Sequence, residues 1–145
     1  MTRRILLSSV LLLLFGLLGS GSSDGATGTI PGAQLSQNSI DYLNNNAVLQ
    51  PGETVVVYYD VTISESNSTS CMVTNQRVVF HNAPNTTGIA LQDITAIEAV
   101  DAFGKVITVH GGPGELLKLE IAPLNGGDFF LAELETAATA AGATF

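Results

Sequence analysis

The groups able to do acid–base, nucleophilic or metal chemistry in this 145-residue chain are two histidines, one cysteine and thirteen carboxylates. His81 and His110 each close a strand pattern beside a turn, and alternation turns both outward, where a solvated surface role is preferred over that of a base or ligand. A zinc site needs three or four ligands. Two histidines and Cys71, which sits inside an apolar run and reads as a small buried hydrophobe, do not make such a set. Asp60, Asp93, Glu98 and Asp101 are scattered along strand edges, where carboxylates solvate the surface and discourage edge pairing. No loop has the dense Asp/Asn spacing of a calcium site. The glycines between Gly19 and Gly28 follow no strand and precede no Lys-Ser/Thr, so they do not form a phosphate loop. No catalytic residue, cofactor site or metal site is assigned, and the chain reads as non-enzymatic.

Arg77 is the most informative charge. It is expected to hydrogen-bond the corner of its own hairpin or a neighbouring carboxylate, and pairing with an acidic partner is the functional alternative. Asn67-Ser68-Thr69 and Asn85-Thr86-Thr87 match the glycosylation pattern, a match that Asn/Thr-rich loops produce by chance.

Charge narrows the partners. The formal net charge is −8, and two of the five basic residues, Arg3 and Arg4, lie at the extreme N-terminus. Downstream, only Arg77, Lys105 and Lys118 face 13 acidic residues. Such a chain is repelled by nucleic-acid phosphates and by anionic head groups, so neither nucleic acid nor phosphoinositide is an expected partner. A single cysteine excludes an intrachain disulfide framework.

Residues 1–23 carry two arginines, an apolar run from Ile5 to Leu18 and a Gly/Ser exit, the pattern of a secretory signal peptide. The run falls short of the ~20 residues that span a bilayer, so a retained signal anchor is the second reading. The chain is thus expected to be secreted or periplasmic, or held at the inner membrane by an uncleaved segment. Residues 24–38, rich in Gly, Ser, Thr and Ala, read as a flexible linker. The folded unit is expected over 39–142.

The elements that must position any site follow in order. Ser39–Val48 has the spacing of a short, weak helix with Asn38 or Ser39 as N-cap. Thr54–Ile63 is the strongest strand, with Val55, Val57, Tyr59, Val61 and Ile63 toward the core. Val56 and Tyr58 make its other face apolar, which calls for a helix or a partner chain over it. Cys71-Met72-Val73 and Val78-Val79-Phe80, split by Thr74-Asn75-Gln76-Arg77, form a hairpin with Val78 and Phe80 inward and Arg77, Val79 and His81 outward. Strands follow at Thr86–Leu91, Ile94–Asp101 (Ile97 and Ala99 inward), Lys105–His110 (Ile107, Val109) and Glu115–Ile121 (Leu117, Leu119, Ile121). A final helix, N-capped by Asp128, sets Phe130, Leu134 and Ala137/Ala138 on one face.

Several segments in this order resemble the bacterial pleckstrin-homology-like domains, relatives of the GRAM domains. They are Leu49-Gln50-Pro51-Gly52-Glu53, Cys71-Met72-Val73-Thr74-Asn75-Gln76-Arg77-Val78-Val79, Ile89-Ala90-Leu91-Gln92-Asp93-Ile94 before Ile97-Glu98, and Gly126-Gly127-Asp128-Phe129-Phe130. The resemblance covers roughly 39–141. It implies a mainly β fold, a partly open barrel of seven antiparallel strands plugged by the C-terminal helix, without enzymatic activity. It also implies a role in protein interaction, with some relatives assembling into rings. The loop Ser64–Thr69 carries Glu65 and no basic residue, unlike lipid-binding members.

The sequence therefore points to an exported assembly module. It would act on a protein partner or on itself as a homo-oligomer, through an uncovered sheet surface at Val56, Tyr58, Arg77 and Val79. A carrier of small ligands or lipids, using a barrel mouth near Tyr59 or His110, and a hydrolase built on surface carboxylates are the alternatives. Membrane contact is expected only through the N-terminal segment.

Overall fold

The computed structural model describes residues 28–145. The segment read as a signal peptide lies outside them, as do residues 24–27 of the expected linker. The end of that linker is ordered by pairing: Thr29–Pro31 forms strand β1, hydrogen-bonded antiparallel to the next strand with Thr29 opposite Tyr59. A single 3-10 turn leads to helix α1, Gln37–Asn45, whose N-cap is Ser36, with its hydroxyl accepting from the Ser39 N–H at 3.2 Å.

Strands β2 (Val55–Asp60), β3 (Thr69–Thr74), β4 (Arg77–Asn82) and β5 (Asn85–Ala90) continue from β1 as a five-stranded antiparallel sheet in chain order. A second antiparallel sheet holds β6 (Ala96–Ala102), β7 (Gly104–His110) and β8 (Leu116–Ile121), and helix α2, Gly127–Ala140, closes the chain. The molecule is mainly β, with a C-terminal helix and two sheets that do not close into a barrel. Eight strands are present among the described residues rather than seven, the addition being β1.

The main core lies between the sheets and beneath α2. Alternation supplies it from β7 and β8, where Ile107, Val109, Leu117, Leu119 and Ile121 are buried as expected. Phe130, Leu134 and Ala138 recur at helical spacing on α2 and plug the same core. The N-cap of α2 is Gly126, two residues before the expected Asp128. Asp128 instead stands in the first turn, where its carboxylate complements the helix dipole.

A second, smaller core forms on the other face of the five-stranded sheet. Leu35, Leu43 and Val48 cover Tyr58, Met72 and Val79 there. The apolar outer face of β2 is thus roofed by α1 of the same chain.

Strand β2 departs from simple alternation. Its pairing with β3 shifts register between Val55 and Val57, a bulge that leaves Val56 and Val57 both against the main core and turns Val55 to the α1 side. Val61 and Ile63 do not reach the core, because β2 ends at Asp60. That carboxylate accepts from the backbone N–H of Thr62 and of Asn67, each at 2.8 Å, and folds the chain into a loop that leaves Ile63 fully exposed.

Candidate functional site

The residues expected to form an open interaction surface are spoken for within the chain. Val79 and Tyr58 are buried beneath α1, and the Tyr58 hydroxyl donates to Asn67 Oδ1 at 2.6 Å. Burial pushes the Tyr58 phenol well above its ordinary range. Val56, turned by the bulge, packs half-buried on the main core. For Tyr58 and Val79 the physical reason is shared, since α1 and the chain on either side of it supply the apolar cover for which a partner was the alternative, while Val56 is covered by the main core.

Arg77 takes the intramolecular role. Its Nε lies 2.7 Å from Glu53 Oε1 and its Nη2 2.9 Å from Oε2, while Nη2 also donates to the Val48 carbonyl at 2.6 Å. Glu53 further accepts from the Gln50 N–H and the Thr74 hydroxyl. Burial pushes the Glu53 carboxyl up, but Arg77, the Gln50 N–H and Thr74 together outweigh it, so its pKa ends below the usual value. This network staples the Pro51-Gly52 turn onto the β3–β4 hairpin.

His81, expected at the solvated surface, is only 2% exposed, since the α1 layer lies over the outer face of β4. Tyr42 Oη stands 3.2 Å from its Nε2 and Thr86 Oγ1 2.9 Å from its Nδ1, so the neutral ring spends its one donor and one acceptor on two hydroxyls. Burial holds its pKa below 6.5. His110 is part-exposed on β7, 3.6 Å from Glu98. Among the described residues no three of His, Cys, Asp and Glu converge as metal ligands would. Cys71 is buried, as its apolar surroundings suggested, and burial pushes its thiol up to about 12.

The free surface lies on the other sheet. β6 is the outer strand of the order β6-β7-β8, and five of its seven residues are exposed, including Ala99, which alternation had turned inward. Val100 stands 62% exposed on its outward side, opposite Val106 of β7. At the end of β6 the chain turns sharply through Phe103 into Gly104. Gly104 has φ +96°, and a Cβ on it would lie 2.2 Å from the Ile121 carbonyl oxygen, so the turn is held tight against the end of β8.

An open groove of about 390 Å³ follows that turn, lined by Asp101, Gly104, Lys105, Pro123, Leu124 and Asp128 among others. Lys105 Nζ bridges the groove, 2.5 Å from Asp101 and 2.7 Å from Asp128. These two carboxylates raise its pKa and keep it an ammonium, which makes it a tie between β7 and α2 rather than a nucleophile. Neither Tyr59 nor His110 lines the groove. Two exposed apolar side chains flank it: Phe103, 94% exposed, and Leu124, fully exposed in a positive-φ conformation. Phe103 falls in the short turn left between the strands expected at Ile94–Asp101 and Lys105–His110. A phenylalanine at the apex of a tight turn was the available signal.

No protein-family model matches the chain, and neither a curated protein nor a solved structure shows significant similarity to it.

Proposed function

We propose that this chain is an exported, non-enzymatic assembly module of the pleckstrin-homology-like kind, acting on protein partners and first of all on its own copies. The observation that carries the reading is the edge of β6. Seven residues long, it contains no Lys, Arg or Pro, and its two carboxylates are turned to neighbouring groups, Glu98 lying 3.6 Å from His110 of β7 and Asp101 pairing with Lys105. The other edges are protected: β1 is three residues long and ends in Pro31, and β5 and β8 approach each other. Two copies related by a two-fold axis would pair β6 with β6 antiparallel and continue one sheet into the next. The order of strands and the C-terminal helix support the pleckstrin-homology-like assignment, on which the expectation of an interaction role rests.

Light scattering coupled to size exclusion on a chain starting near Ala26 tests this. A discrete oligomer is expected, and Ala99→Lys with Val100→Lys, both at exposed positions, should return it to monomer. A monomeric wild-type chain at high concentration would refute edge assembly.

A further inference from the structure

The N-terminal apolar segment joins the domain beside its most exposed apolar side chains. The Thr29 N–H donates to the Asn125 carbonyl at 2.8 Å, and Gly28 lies against Asn125, so residue 28 meets the domain next to Leu124. The Tyr59 hydroxyl accepts from the Ala122 N–H at 3.2 Å and from Asn125 Nδ2 at 3.3 Å, which brings the end of β2 to the same place. Two residues beyond Tyr59 begins the loop carrying Val61 and Ile63, 41% and 104% exposed. Gly104 packs on Ile121, Ala122 and Pro123, which sets Phe103 beside Leu124. One end of the molecule thus gathers Ile63, Phe103 and Leu124 around the point where residues 1–27 attach.

Only residues 19–27 separate Leu18, the last residue of the apolar run, from Gly28. The ten steps from Leu18 to Gly28 reach about 35 Å when fully extended, which bounds the distance between that run and this end of the domain. We propose that this end is a membrane-contact surface: with the Ile5–Leu18 run retained in a bilayer, Phe103, Leu124 and Ile63 dip into the lipid interface beside it. Exposed aromatic and aliphatic tips gain by shallow burial at that depth. The lipid is zwitterionic rather than anionic, because Asp101 and Asp128 flank the groove, Glu65 lies in the loop, and Lys105 is occupied by the two aspartates. The surface is separate from the proposed β6 pairing and stands or falls independently of it.

The test uses the full chain reconstituted in phosphatidylcholine vesicles. Phe103→Cys, Leu124→Cys and, on the far end of the second sheet, Leu116→Cys each receive a bimane label, with buried Cys71 left unmodified. Nitroxide-bearing lipids should quench the labels at 103 and 124 severalfold more than the label at 116. Leu124→Asp should lower the quenching at 103 toward the level at 116, while the circular dichroism stays unchanged. Equal, weak quenching at all three positions would overturn the proposal. So would labels at 103 and 124 shielded from aqueous iodide yet unquenched by lipid, since a second copy would then cover them. Recovery of the chain free of the vesicles and lacking its first residues would overturn it as well.

Discussion

The Arg77 guanidinium grips the Glu53 carboxylate with two nitrogens at 2.7 and 2.9 Å, and 24 residues of sequence separate the two partners. The Glu53 side chain has no exposed area and that of Arg77 has 14%, so the pair is largely removed from water. Removing one partner leaves a buried charge or donor fork unanswered. Glu53→Gln and Arg77→Ala should each destabilise the domain by on the order of 3 kcal/mol, read from urea denaturation. The pH dependence has a definite sign. With its native pKa below 4.5, Glu53 contributes stability fully above that value and loses it as pH falls through the native pKa. The wild-type and Glu53→Gln stability curves should therefore converge in acid, and parallel curves would sink the assignment.

His81 adds a second window at higher pH. Its native pKa is depressed, so below about 6.5 the unfolded chain takes up a proton that the native ring refuses, and stability declines as pH falls. His81→Asn should flatten that decline. Tyr42→Phe removes one hydroxyl partner at a cost of about 1 kcal/mol and should leave the decline in place. A denaturation midpoint that does not change between neutral pH and pH values below 6.5 would contradict a buried neutral histidine.

Cys71 should be silent in the native state. Its buried thiol, with a pKa near 12, holds almost no thiolate at mildly alkaline pH. A disulfide reagent should label it only as fast as the domain opens, and quantitatively in urea. Rapid stoichiometric labelling without denaturant would show that the β3 strand is not packed as described.

Phe130 is the largest fully buried side chain among the described residues and plugs the main core from α2. Phe130→Ala should cost about 3–5 kcal/mol through lost burial and the cavity left behind. Gly104→Ala meets both a left-handed backbone and the Ile121 carbonyl and should cost roughly 1–3 kcal/mol. Phe103→Ala, one residue away but fully exposed, should change stability by less than about 0.5 kcal/mol. Thermal melts of the three variants rank these directly.

Local pattern carried much of this fold. Period-two alternation placed Ile107, Val109, Leu117, Leu119 and Ile121 inward, and helical spacing selected Phe130 and Leu134, because each element buries one face. The hairpin about Thr74–Arg77 was legible from composition, and so was the burial of Cys71. What escaped depends on contacts between distant segments. Thr29–Pro31 has no strand signature of its own and is a strand only because β2 offers it an edge. The bulge at Val56 reverses a face that alternation alone would assign. Tyr58, Val79 and His81 are buried because α1 docks over them, and nothing in β2 or β4 distinguishes that cover from a partner's. Likewise, Ile63, Phe103, Leu124 and Gly28 lie far apart in the chain, and the Tyr59–Asn125 and Gly104–Ile121 contacts bring them to one end. The sequence by itself determined which residues alternate and which repeat at helical spacing, since those are short-range properties. Tertiary packing decided which of the resulting faces stayed open to water, because exposure depends on the whole chain.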